Sequence, residues 1–85
     1  MIVKLLYFAW VRQKIGLSEE QIDMPPAVTT VATLVQFLRD RGPGYAEAFR
    51  NPALIRVAVN QQHTDFNAIV HPTDEIAFFP PVTGG

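Results

Sequence analysis

One amphipathic helix is the feature that most restricts how this chain can fold. Apolar residues recur at i, i+3, i+4 and i+7, which gives a single stripe formed by Val31, Leu34, Val35 and Leu38. The hydroxyl of Thr29 or Thr30 can cap the first turn, and Gly42-Pro43 stops the helix. A single long helix covers only one face of a sheet, so a sheet with helices on both faces is excluded.

Four other segments have the β-branched and aromatic character of strands. Two precede the helix, at 2–9 and 20–24, and two follow it, at 55–60 and 75–80. A short second helix is predicted at 45–50. This order predicts an α+β domain of the β-grasp type, with a mixed four- to five-stranded sheet covered on one face by one main helix.

The length and charge of the chain exclude several classes of function. Eighty-five residues form one core, and we expect a domain at 1–80 followed by an extended tail at 81–85. Seven basic and eight acidic residues produce no field that would recruit nucleic acid or an anionic membrane. Neither a bilayer-spanning segment nor a signal-peptide pattern is present. We therefore expect a cytoplasmic protein that binds neither nucleic acid nor membrane.

The body of the domain carries little side-chain chemistry. The chain has no cysteine, which excludes disulfides, thiolate metal sites and cysteine nucleophiles. His63 and His71 have no cluster of ligands near them in the sequence, so we interpret both as loop residues rather than catalytic or metal-binding ones. No metal site is predicted, and no cofactor bound by this chain.

Alternation along the strands predicts which face of the sheet the helix leaves open. The inward set is Val3, Leu5, Tyr7, Ala9, Ile55, Val57, Val59, Ile76 and Phe78. The outward set is apolar and consists of Leu6, Phe8, Ala58, Ala77 and Phe79, bordered by Lys4, Arg56 and Glu75. Monomers rarely expose a contiguous apolar patch above roughly a few hundred Å² without using it.

We therefore predict a partner-binding surface on that outward face. Its proposed contact residues are Leu6, Phe8, Arg56, Ala58 and Phe79. The alternative is that a loop, or the segment around Phe66, covers part of the patch.

The C-terminal segment is the other candidate for function. It consists of Pro80, Pro81, Val82, Thr83, Gly84 and Gly85. Two prolines fix φ near roughly −65° and favour a stiff, extended exit from the last strand. Diglycine has no Cβ atoms, so it can thread a narrow channel and leaves the terminal carboxylate open to activation.

These features together resemble a known family, the small subunits of molybdopterin synthase in the ThiS/MoaD group of ubiquitin-like sulfur carriers. The resemblance runs nearly the full length and is carried by Leu6-Tyr7-Phe8-Ala9 with Arg12 and Gly16, by Val57-Ala58-Val59-Asn60, and by Asp74 to Gly85. One departure is visible. The family often has an acidic-Gly pair before the final Asp, where this chain has His71-Pro72-Thr73.

The resemblance implies a cycle in which Gly85 is the carried reagent. A MoeB-like activating enzyme would use ATP to adenylate the Gly85 carboxylate, and a sulfurtransferase would convert it to a thiocarboxylate. The loaded tail would enter a MoaE-like large subunit and donate sulfur to cyclic pyranopterin monophosphate in molybdenum cofactor biosynthesis. The implied complex is a heterotetramer of two small and two large subunits. This chain would not be catalytic alone.

Two other functions stay open at this point. The chain can be a sulfur carrier for thiazole or tRNA thiolation, or a ubiquitin-like modifier that conjugates through Gly85. It can also be a non-catalytic β-grasp interaction domain with an incidental diglycine.

Overall fold

The computed structural model describes residues 1–81 of the chain. Its strands are β1 (Ile2–Tyr7), β2 (Glu19–Asp23), β3 (Arg56–Val59), β4 (Gln62–Thr64) and β5 (Glu75–Phe79). Its helices are α1 (Ala9–Ile15), α2 (Val31–Arg39) and α3 (Pro43–Ala48), with a 3₁₀ turn at Pro52–Leu54. Among residues 1–81, no helix is both long enough and apolar enough to cross a bilayer.

The strands form one mixed sheet in the order β2-β1-β5-β3-β4. The central pair, β1 and β5, is parallel, and the other three pairings are antiparallel. This arrangement confirms the predicted α+β class and the mixed sheet. It also confirms that the first, third and last predicted strands are neighbours, on which the outward face depends.

The helix α2 supplies most of the cover for one face of the sheet. Its predicted stripe is fully buried, with each of Val31, Leu34, Val35 and Leu38 at most 4% exposed. Burial of a side chain of this size is worth roughly 1.5–3 kcal/mol. The helix begins at a capping box, in which the Thr30 hydroxyl accepts from the Thr33 N–H at 3.2 Å and the Thr33 hydroxyl accepts from the Thr30 N–H at 2.9 Å.

The junction between β1 and α1 corrects one prediction. Ala9 was expected in the inward set, but it is exposed and begins α1 with a φ of 53°. The strand pairing ends one residue earlier, where the Phe8 N–H donates to the Phe78 carbonyl at 3.1 Å. The chain turns away from the sheet there, so residue 9 has no inward position to fill.

The short edge strand β4 was missed by sequence reasoning. It follows a turn over Asn60 and Gln61, both with positive φ. All three residues of β4 are exposed. A strand without a buried side leaves no alternation of apolar and polar residues, so the pattern gave no signal.

The turn before β5 holds a β-branched residue in the left-handed region. Thr73 has a φ of 67°, where threonine is strongly disfavoured. The Asp74 N–H closes the turn on the His71 carbonyl at 3.2 Å. Pro72 followed by a positive φ is the pattern of a type II turn, which favours glycine at the position of Thr73.

The buried carboxylate of Asp74 holds this turn in place. It accepts from the Asn60 side-chain amide at 2.9 Å and from the His71 N–H at 2.8 Å. Asn60 in turn accepts from the Glu75 N–H at 2.9 Å. This network ties the β3–β4 turn to the start of β5 and maintains the strained conformation of Thr73.

Replacement of Thr73 by glycine is expected to stabilise the protein by about 0.5–1 kcal/mol. The glycine variant removes the strain of a β-branched residue in the left-handed region, which costs roughly 1–2 kcal/mol. This gain exceeds the conformational entropy that glycine loses on folding, roughly 0.5–1 kcal/mol. The free energy of unfolding in urea measures the effect. Thr73→Ala is the matched control, since it keeps the Cβ atom and should give no comparable gain. A less stable glycine variant would contradict the strain assigned to this turn.

Candidate functional site

The open face of the sheet is the candidate site, and its centre is a row of small and apolar residues across three strands. Leu6 of β1 pairs with Ala77 of β5, and Ala77 pairs with Ala58 of β3. Arg56 pairs with Phe79 in the next row along the same strands. The sheet therefore brings the predicted outward residues together on one surface, which we call the open face.

The exposure of these residues follows the predicted alternation with one exception. Phe8 is 47% exposed, whereas Leu6, Ala77 and Phe79 are half-buried. Ala58 was predicted as a partner-binding residue, but it is only 6% exposed. Its methyl group is short, and it is paired with His63 on β4, whose ring reaches the ring of Phe79 at 5.2 Å between centroids. Ala58 therefore contributes a floor to the open face rather than an accessible contact.

The segment around Phe66 does not cover the open face. Its backbone runs along the start of α2, on the covered side of the sheet. The Val31 N–H donates to the Ala68 carbonyl at 3.0 Å, and the Ala32 N–H donates to the Phe66 carbonyl at 2.9 Å. The side chains of Phe66 and Ala68 pack against the core. Within residues 1–81, this alternative to a partner-binding role is therefore wrong for that segment.

Two residues of the open face were missed by sequence reasoning. Ile2 lies on the same side of β1 as Leu6 and is 55% exposed, so the apolar surface extends to the start of that strand. The alternation of β1 alone would have placed it there. His63 joins the face through β4, and it was interpreted as a loop residue because that strand was not recognised.

The root of the C-terminal tail, formed by Pro80 and Pro81, lies at one end of the open face. Because β1 and β5 are parallel, β5 ends beside the end of β1, where Phe8 is exposed. Pro80 and Pro81 follow directly and are half-buried. The remaining predicted tail residues, Val82, Thr83, Gly84 and Gly85, lie outside the described residues.

A second polar cluster lies away from the open face and joins the elements around it. The Glu20 carboxylate accepts from the Tyr7 hydroxyl at 2.9 Å and from the Tyr45 hydroxyl at 2.6 Å, and Arg41 lies 3.6 Å away. Burial, followed by the nearby Glu20 charge, raises the pKa of Tyr7, so that hydroxyl stays a hydrogen-bond donor. These contacts link β1, β2 and α3, and we assign them to the stability of the fold.

Residues 1–81 contain no group of three or more His, Asp and Glu side chains placed to hold a metal ion. His71 lies 3.8 Å from the Asp74 carboxylate, and that carboxylate is already held by Asn60 and by a backbone N–H.

Two phenylalanines that are neighbours in space, Phe8 and Phe78, test which face is open. Phe8→Asp should change the free energy of unfolding by less than about 1 kcal/mol, because the ring is already half in water. Phe78→Asp should prevent folding or cost more than about 4 kcal/mol, because Phe78 is 0% exposed and packs on Phe49 at 5.0 Å. Denaturation with urea measures both variants. Unfolding of the Phe8 variant would show that the faces are assigned the wrong way round.

Comparison with solved structures identifies the fold. Over all residues of both chains, the fold matches SAMP1 from Haloferax volcanii with a TM-score of 0.74 and 22% identity. It matches a chain in the complex of subunits 1 and 2 of molybdopterin-converting factor from Helicobacter pylori equally completely, with a TM-score of 0.67 and 23% identity. The chain has the ubiquitin-like β-grasp fold.

Sequence comparison gives the family. The profile of the ThiS family matches residues 5–85. A molybdopterin synthase sulfur carrier subunit from Escherichia coli K12 is 37% identical, across 99% of this chain and 100% of the relative. Another of the same name from Homo sapiens is 33% identical, across 98% of this chain and 93% of the relative. The chain belongs to the ThiS family.

Proposed function

We propose that this chain is the sulfur-carrier subunit of a molybdopterin synthase, with the terminal carboxylate of Gly85 as the carried group. The observation that carries the proposal is the position of the tail root. It lies at the end of an apolar open face in a chain whose full-length relatives are named molybdopterin synthase sulfur carrier subunits. Docking of that face would direct the tail toward one point on the partner.

The proposed chemistry begins with activation of the terminal carboxylate. In an activating enzyme of the MoeB type, the Gly85 carboxylate attacks the α-phosphate of ATP and releases pyrophosphate. The persulfide of a sulfurtransferase then attacks the acyl adenylate and displaces AMP, and a second thiol reduces the resulting acyl disulfide, which leaves the thiocarboxylate on Gly85. Gly84 and Gly85 present no Cβ atoms, so the acyl carbon is open to each nucleophile in turn.

The loaded tail then acts inside a large subunit of the MoaE type. Pro80, Pro81, Val82 and Thr83 position the thiocarboxylate at a distance from the open face, since five extended residues reach roughly 17 Å. Sulfur passes to cyclic pyranopterin monophosphate in the cytoplasm, and two small and two large subunits form the complex. The catalytic acids and bases belong to the large subunit, so this chain is a substrate and a subunit.

Loss of the last residue tests the proposed role of Gly85. Deletion of Gly85, or addition of one alanine after it, should abolish sulfur transfer to cyclic pyranopterin monophosphate. Both variants move the reacting carboxylate by one residue, which is roughly 3.5 Å of extended chain. The measurement is molybdopterin formation with the activating enzyme, ATP, a sulfur source and the large subunit.

Two controls separate the tail from the docking face. The Gly85 deletion should keep the wild-type melting temperature and still bind the large subunit through the open face. Phe8→Asp should fold but fail to bind, because it places a carboxylate in an apolar contact. Full sulfur transfer by the Gly85 deletion would rule out the proposed function.

A further inference from the structure

We infer that Arg56 is a specificity-determining residue, which pairs with a carboxylate on the large subunit beside the channel that admits the tail. The inference rests on the proposed function and adds the charge of the partner surface to it.

Arg56 is an exposed cation at the tail end of this face. Its strand register places it directly opposite Phe79, and Phe79 immediately precedes the two prolines. Side chains directly opposite in an antiparallel pair lie roughly 4.5–5.5 Å apart at Cβ. Any surface that covers Phe79 must therefore also cover or border the Arg56 guanidinium.

Within residues 1–81, Arg56 forms no ion pair, in contrast to the other cation of this face. Lys4 lies 3.4 Å from Glu19 on the neighbouring strand. Continuation of the β3–β4 register places Asp65 opposite Arg56, but no ion pair joins the two, and the Asp65 Oδ1 accepts from the Asn67 N–H at 2.8 Å. The Arg56 guanidinium can therefore pair with a carboxylate of a partner.

The side of the open face away from β3 carries the opposite sign. Glu75 is paired with Lys4, and Glu19 lies opposite Leu6 on β2, 3.4 Å from Lys4, so these three residues leave one negative charge, while Arg56 on β3 provides a positive charge beside the tail root. A docking partner with the reverse polarity would be oriented by this pattern before contact. Its acidic end would then lie over Arg56, where the tail enters.

Burial of a guanidinium in an apolar interface requires a paired carboxylate, because an unpaired charge is costly to desolvate. Arginine suits this role, since its planar fork donates two parallel hydrogen bonds to one carboxylate. A large subunit without that carboxylate would leave Arg56 unpaired and would bind weakly. Arg56 therefore selects among large subunits that share the same apolar contact.

The experiment measures binding of the large subunit from the same organism by calorimetry, at about 50 mM and about 500 mM salt. Arg56→Met should weaken binding about tenfold and Arg56→Glu about a hundredfold or more at low salt. The loss of affinity for Arg56→Glu should shrink at high salt, because part of it is long-range repulsion from the partner's carboxylate, which salt screens. Arg39→Glu is the matched control. It makes the same change in net charge on α2, behind the sheet, and should leave binding within about twofold of wild type.

Equal binding by Arg56→Glu and Arg39→Glu, with tight binding by the wild type, would overturn the role of Arg56 and leave the proposed function intact. Failure of the wild-type chain to bind the large subunit would overturn both. Retained melting temperatures of the variants establish that each loss lies in the interface, since Arg56 is exposed and makes no ion pair among the described residues.

Discussion

Coverage of the sheet on one face alone is the constraint on which the rest of this structure depends. Five strands present two faces, and α2 supplies the main cover for only one of them. The core lies on that side, where the inward residues of β1 and β5 are at most 1% exposed. The other side keeps apolar residues at half exposure, so its apolar surface is buried only when another molecule covers it.

The parallel pairing of β1 and β5 determines where the C-terminal tail leaves the sheet relative to the open face. A parallel pair places the ends of both strands at the same edge of the sheet, so the exposed Phe8 lies beside the exit of the tail. The polar network of Asp74 and Asn60 fixes the start of β5 at the opposite edge. In the proposed function, β5 therefore serves both docking and delivery, because its outward side chains would meet the partner and its continuation carries Gly85.

The parts that could be predicted from sequence are those with strong periodicity. The stripe of α2 and the alternation of β3 and β5 reflect burial on one side, which is the physical origin of both patterns. The misses have local causes. The three residues of β4 are all exposed, the positive φ of Ala9 ends β1 early, and the short side chain of Ala58 is hidden by larger neighbours. Of these, only the burial of Ala58 depends on packing between strands, while the other two leave no periodic apolar pattern in their own segments.

Mass measurement of the C-terminal peptide would show whether the terminal carboxylate of Gly85 carries sulfur. The chain should be incubated with the activating enzyme, ATP and a sulfur source, without the large subunit. We expect replacement of one oxygen by one sulfur, confined to the peptide that ends in Gly84-Gly85. An unchanged C-terminal mass, under conditions in which an established carrier is converted, would contradict it.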